Sequence, residues 1–380
     1  MKTIVKGIIV ALMIVLFVIP AFSNGAKESS GGDENIYIAL TAPITGDYAE
    51  YGGNFKKSVE MGIELINKNG GVLGKELKVI IGDSKGDPKE SATLAQKFTS
   101  DKRIVAEIGD FTSTCCLAAQ PIYKQAEMVQ LSPTSSHPDF AKGSEYSFGI
   151  IGTQAGEGPF MAKMTNELGV KKVAILYINN DWGIVTDKYY SNALKQYGIE
   201  VVGKEFYFDG ERDFTAVLTK LKTTDPDLLF IASMYNDGAL INKQRVKLGW
   251  KNVKVLGPGS LYSPKLVELG GDAVEGLYTN VVFHPASPKK EVQVFVKGFK
   301  ERYGATPNMF AAVAYDAINL LVDAIERAGS TDKNKIRDAL AATKDFPGVT
   351  GKITFTAAGD VMKDYTRVQV QNGEFVVISK

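Results

Sequence analysis

With 380 residues, and 44 Lys and Arg against 43 Asp and Glu, the chain is too long for one ordinary core and suits two lobes. Its near-neutral balance gives no reason to expect nucleic acid or an anionic membrane surface as partner. The only cysteines are the neighbours Cys115 and Cys116 and the only histidines are His137 and His284, which argues against a structural disulfide and against a metal site. The cysteine pair reads as small apolar filling in a helix.

Lys2 and Lys6 precede an apolar run from Gly7 to Ile19, with small residues at Ala21 and Ser23. That is the pattern of a cleaved secretory signal over residues 1–23, and the run is shorter than the roughly 20 apolar residues of a membrane span. Retention as an uncleaved anchor is the other reading of this segment. No cysteine lies near the cleavage region, so a lipid anchor is not expected. Residues 24–35 read as a flexible polar lead-in.

Alternation at Ile36–Leu40 predicts a strand, and apolar residues at Phe55, Val59, Ile63 and Ile66 predict a helix over Asn54–Asn67, closed by Asn69-Gly70-Gly71. Strand Leu77–Ile81 follows, then a helix from Pro88 to Phe98, strand Ile104–Ile108, helix Ser113–Ala126 and strand Met128–Leu131. Strand–helix alternation at this spacing predicts a parallel sheet covered on both faces. After a crossing at Gly152-Thr153-Gln154 the alternation restarts with helix Gly158–Leu168, strand Val173–Tyr177, helix Gly183–Tyr197 and strand Ile199–Gly203. Phe214–Lys222, Leu228–Ala232, Ala239–Leu248 and Lys254–Leu256 continue it, and the texture changes after Gly276–Phe283. Long helices follow at Val292–Tyr303, Met309–Ala328 and Lys333–Ala341, then strands at Ile353–Phe355, Thr366–Gln371 and Glu374–Ile378 around an Asn372-Gly373 turn.

Two hydroxyl clusters mark a candidate pocket. Ser113 and Thr114 start a helix just after strand Ile104–Ile108, and Ser132-Pro133-Thr134-Ser135-Ser136 follows the next strand. A helix start with free N–H groups is either capped by its own Ser or Thr or faces an anion such as a carboxylate. In an open α/β sheet, ligands sit outside the carboxyl ends of strands, where both clusters fall.

Several segments together resemble the periplasmic solute-binding proteins of branched-chain amino-acid ABC transporters. They are Ile38–Gly46 with Tyr51-Gly52, Ile66-Asn67 with Gly70-Gly71, Asp83 with Asp87-Pro88, and Ile108-Gly109 with Ser113. Ser132-Pro133, Asp181-Trp182-Gly183, Asp213-Phe214 and Gly270–Gly276 complete the set, which spans nearly all of the mature chain. The resemblance implies a type I periplasmic binding fold, two doubly wound α/β lobes of parallel sheet joined by three crossing segments. Residues 36–152 with 284–345 would form the N-terminal lobe, and 153–283 with 346–380 the C-terminal lobe. It implies capture of a small, apolar amino acid between the lobes and delivery to a membrane permease, in a monomer outside the cytoplasm with no cofactor and no metal.

By the same resemblance, Ser113 and Ser136 hold the ligand carboxylate and the Thr134 backbone lines the same spot. Tyr51 and Trp182 wall the pocket, and a second-lobe aromatic aligns with Met234 or, preferably, Tyr235. Two departures stand out. Cysteines that the family places around Gly86 and Thr112 are absent, and the acid that usually pairs the ligand ammonium aligns with Gly259. Asp237 is the nearest replacement in sequence, with a helix N-cap as its equal alternative. Should no acid reach the site, the ligand would be an apolar carboxylate or amide without an amine. A sensor of the same fold is the rival binding role; the chain's ending after a strand, with no second hydrophobic span, favours the free binding protein. An enzyme is disfavoured, because no nucleophile–base motif or phosphate-binding glycine pattern occurs.

Overall fold

The computed structural model describes residues 35–379; the expected signal segment and all but the last residue of the lead-in lie outside the described residues. The first half of the chain forms β1 (Asn35–Ala42), α1 (Ala49–Lys68), β2 (Glu76–Asp83), α2 (Pro88–Ser100), β3 (Ile104–Ile108), α3 (Ser113–Gln125), β4 (Val129–Ser132), α4 (Pro138–Lys142) and β5 (Ser147–Gly149). These five strands make one parallel sheet in the order β2-β1-β3-β4-β5. β3 and β4 are buried along their whole length, as strands covered on both faces must be.

Local chemistry sets several boundaries. Asp87 caps α2 by accepting from Lys89 N (2.7 Å) and Glu90 N (3.1 Å), with Pro88 at the first helical position. α1 begins five residues before the periodicity suggests, and Gly52 explains this. A Cβ at Gly52 would stand 2.0 Å from Pro43 O, so glycine lets the helix press against the loop that leaves β1. Gly183 does the same in the second half, where a Cβ would lie 1.9 Å from Ile178 O. The short α4 and β5 carry too few residues to show a period.

The second sheet is built from α5 (Gln154–Glu167), β6 (Lys172–Ile178), α6 (Asp181–Leu194), β7 (Glu200–Tyr207), α7 (Thr215–Lys222), β8 (Leu228–Ala232), α8 (Tyr235–Lys247), β9 (Lys254–Leu256), α9 (Pro264–Gly270) and β10 (Tyr278–Val281). The chain continues through α10 (Lys290–Tyr303), α11 (Met309–Ala328), α12 (Lys333–Ala341), β11 (Phe346–Gly348), β12 (Gly351–Ile353), β13 (Thr366–Gln371) and β14 (Glu374–Val377). The sheet runs β14-β13-β10-β9-β8-β6-β7, with β13 and β14 antiparallel to their neighbours.

α11 is buried on most of its surface and packs against α1 and α12, returning the chain to the first lobe. Each fully buried aliphatic side chain there contributes about 1.5–3 kcal/mol, so this helix anchors the lobe. The hairpin β11–β12 stays on that lobe as well. Asp316 of α11 accepts from Val349 N (2.7 Å), Thr350 N (2.9 Å) and Thr350 Oγ1 (2.6 Å). Phe355 packs edge-on against Phe148, and Gly359 O accepts from Gly149 N. The chain therefore reaches the second sheet only after residue 361, well beyond the expected crossing at 345/346.

Candidate functional site

In both sheets the strand order reverses beside the first strand, between β1 and β3 and between β6 and β8. Such switch points leave a crevice outside the carboxyl ends of the strands. The carboxyl ends of the two sheets face each other across a cavity of about 540 Å³, mouth included. The segment after β3 contributes Phe111, Thr112 and Ser113, and the loop after β4 contributes Thr134 and Ser136. From the second lobe come Trp182 after β6, Met234 after β8, Gly259 and Ser260 after β9, and Asn280 and Val282 at β10. Ile151, Glu157, Met309, Phe310 and Tyr365, on or next to the crossing segments, complete the lining.

The first lobe presents a polar, anion-ready end. Thr112 caps α3 through its hydroxyl, which accepts from Cys115 N (3.1 Å). The first N–H groups of the helix, at Ser113 and Thr114, have no intrahelical partner, and the helix dipole adds positive character there. Ser113 Oγ accepts from Ser136 N (3.2 Å), which ties the two hydroxyl clusters together. Below them Asp110 accepts from Phe111 N (2.5 Å) and Ser91 Oγ (2.6 Å), fixing the loop that carries Phe111 and Ser113. The rest of the wall is mostly apolar: Phe111, Ile151, Trp182, Met234, Val282, Met309 and Phe310.

Glu157 is the exception in this wall. It lies in the first turn of α5, is 8 % exposed, and burial raises its pKa. Its Oε1 accepts from Gly259 N (3.0 Å) and its Oε2 from Gln154 Nε2 (2.6 Å). Asn280 approaches it without its Nδ2 reaching hydrogen-bond geometry. Tyr365 is held neutral by burial and by the nearby Glu157.

Of the residues singled out from sequence, Ser113, Thr134, Ser136 and Trp182 line the cavity. Tyr51, Tyr235 and Asp237 do not; they occupy the seam where the lobes meet. The Tyr51 ring stacks on Phe111 at 4.0 Å, its hydroxyl donates to Ser260 O (2.6 Å) and it accepts from Tyr235 N (3.0 Å). Tyr235 donates its hydroxyl to Asp47 O (3.0 Å). Asp237 accepts from Tyr207 OH (3.1 Å) and lies 3.6 Å from Arg212, with burial pushing its pKa up to about 6. It makes no cap hydrogen bond, since α8 begins two residues earlier. Arg212 also pairs with Asp47 (2.5 Å), and Tyr48 donates to Asp209 (2.9 Å), so the cleft lip is held shut by polar contacts between lobes.

Cys115 and Cys116 are free and buried, with both thiols pushed up in pKa by burial, consistent with packing inside α3. Among the described residues no cluster of three or more His, Cys, Asp or Glu has the makings of a metal site. The second-lobe aromatic position is taken by Met234 on the cavity side and Tyr235 on the seam side. Phe310 and Glu157 escaped sequence reading. The N-cap Asn308 marks the helix start beside Phe310, whereas Glu157 lies ahead of the helix as its periodicity reads.

The sequence model described as Periplasmic binding protein matches residues 35–374. The chain belongs to the periplasmic binding protein family. A curated relative is the leucine-, isoleucine-, valine-, threonine- and alanine-binding protein of Pseudomonas aeruginosa. It is 28 % identical over 369 residues, covering 94 % of this chain and 97 % of the relative. Among solved structures, the leucine-binding protein LivK of Thermotoga maritima superposes with a TM-score of 0.86 at 29 % identity, covering 90 % of this chain and 98 % of that one. The branched-chain amino acid transporter substrate-binding protein LivJ of Streptococcus pneumoniae, solved with isoleucine, gives 0.84 at 26 % identity, covering 90 % and 99 %. The chain thus spans nearly the full length of these relatives.

Proposed function

We propose that this periplasmic binding protein is the extracytoplasmic substrate-binding component of an ABC importer for a small apolar amino acid. The observation that carries the reading is the cavity itself. Paired hydroxyls and a helix N-terminus on one side suit a carboxylate, and the surrounding Phe111, Trp182, Met234, Val282 and Phe310 suit an apolar side chain. The names of the relatives support the same ligand class. Ser113 and Ser136 hold the carboxylate with Thr134 beside them, and Trp182 covers the ligand from the second lobe. Tyr51, Tyr235 and Asp237 act at one remove, through the seam that closes the cleft. Secretion through the signal segment at residues 1–23 would bring the protein to its permease.

Binding then amounts to closing two lobes on a ligand, which favours the closed state by its differential affinity for it. Solution scattering should report a smaller radius of gyration when leucine is added at saturation. A radius unchanged by leucine, isoleucine, valine and phenylalanine would count against this reading.

A further inference from the structure

The hydroxyl groups of the cavity have defined polarity. Ser113 Oγ accepts from Ser136 N and Ser136 Oγ accepts from Gln154 Nε2 (3.1 Å), so each O–H remains available to donate. Thr134 Oγ1 gives its proton to Phe111 O (2.7 Å) and can only accept from the cavity. Glu157 is an acceptor too. It takes two hydrogen bonds where a carboxylate has room for about four, and among the described residues it forms no ion pair. Donors and acceptors thus share one small cavity, whose acceptor end holds a buried carboxylate with no cation. Such a group either takes a proton or awaits a positive partner.

Position 259 explains how the carboxylate comes to be there. A Cβ on Gly259 would stand 3.0 Å from Asn280 O, 3.2 Å from Met309 Cε and 3.6 Å from Glu157 Oε1. Glycine keeps that space clear, and its N–H anchors Glu157 Oε1 in it. The acid expected after β9 is therefore supplied from the first turn of α5. Gln154 Nε2 bonds both Ser136 Oγ and Glu157 Oε2, which holds the two oxygens no more than about 6 Å apart. The carboxylate and ammonium of an α-amino acid, about 3 Å apart by standard bond lengths, can each reach one of them from the cavity side.

We infer that Glu157 receives the ammonium group of the ligand, with Thr134 Oγ1 as a further acceptor, so that the pocket selects α-amino acids over apolar acids lacking an amine. This rests on the reading of Ser113 and Ser136 as the carboxylate end. Binding is then coupled to the protonation of Glu157, because only the carboxylate attracts an ammonium. The groups facing it are Gly259 N–H, Gln154, Asn280 and Tyr365, of which Tyr365 alone titrates and stays neutral.

Calorimetric titration of leucine, valine and phenylalanine, and of their 2-oxo acid analogues, tests the assignment in wild type, Glu157→Gln and Glu157→Asp at pH 8 and pH 5.5. Wild type should bind an amino acid, more weakly at pH 5.5, since burial raises the pKa of Glu157 and lets it take a proton. Glu157→Gln should lose about 100-fold or more in amino-acid affinity, lose the pH dependence, and bind the matching oxo acid at least as well as wild type. Glu157→Asp should retain part of the affinity and the pH dependence, and it provides the folded comparison if the glutamine variant melts early. Equal losses for amino acid and oxo acid, or an unchanged amino-acid affinity, would overturn the proposal. Wild type that binds oxo acids but no amino acid would overturn it and leave the carboxylate reading standing. Wild type that binds neither would overturn the carboxylate reading itself.

Discussion

Ser113→Ala is expected to weaken leucine and 2-oxo acid binding alike, by roughly 10- to 100-fold. The equal loss follows from its place at the carboxylate end, which both ligands share. A hydrogen bond to a charged group contributes about 1.5–3 kcal/mol, and here the donor also sits at the start of α3, where the helix dipole adds to it. Stability should fall by only about 1 kcal/mol, the cost of leaving Ser136 N without its acceptor. Because Ser113 and Ser136 share one ligand carboxylate as partner, the double alanine variant should lose less than the two single losses combined. Calorimetry on the three variants checks both points. A Ser113→Ala protein that binds as tightly as wild type would mean the carboxylate lies elsewhere.

Most of the fold was legible because buried parallel strands and amphipathic helices write their periods plainly. Ile104–Ile108, Leu228–Ala232, Lys254–Leu256, Met309–Ala328, Lys333–Ala341 and Thr366–Gln371 have the bounds that sequence predicts. The misses have physical causes. Gly52 and Gly53 look like breakers, yet Gly52 is what lets α1 approach Pro43. Periodicity starts this helix at Gly158, because Gly156, Gly158 and Pro159 are poor helix formers; α5 nevertheless begins at Gln154 and carries Pro159 inside it, at the cost of one backbone hydrogen bond. Glu157 therefore lies ahead of the helix that periodicity predicts, and Asp237 is the acid that spacing places beside a strand end. Asp237 sits in the first turn of α8, where Tyr207 and Arg212 hold it at the cleft lip, and sequence spacing cannot tell the lip from the floor. Hydroxyl clusters after two adjacent strands were legible for the opposite reason: topology brings neighbouring strand ends together whatever the loops do.

The carboxyl-rich underside of that same strand end sets up a second large effect. Glu107 in β3 is buried and its Oε2 has no hydrogen-bond partner, nor have the neighbouring Thr41 Oγ1 and Tyr123 OH. Burial, with the Asp110 charge beside it, raises its pKa well above the usual carboxylate value. A protonated Glu107 also keeps a negative charge from beneath the loop that carries Ser113. In the unfolded chain the same carboxyl ionises near pH 4.3. Since the folded state holds the proton more tightly, this group's contribution to stability is fully present below the unfolded pKa and is lost as pH rises towards the folded one. Glu107→Gln removes that dependence while keeping the shape. The variant should match wild type near pH 4 and exceed it increasingly above, by up to about 4 kcal/mol at pH 7, the linkage limit for a group that stays protonated there. Urea unfolding at pH 4, 5.5 and 7 measures the difference directly. A gap that does not widen with pH would show that Glu107 is ionised in the folded protein, with a negative charge lying under the carboxylate end of the site.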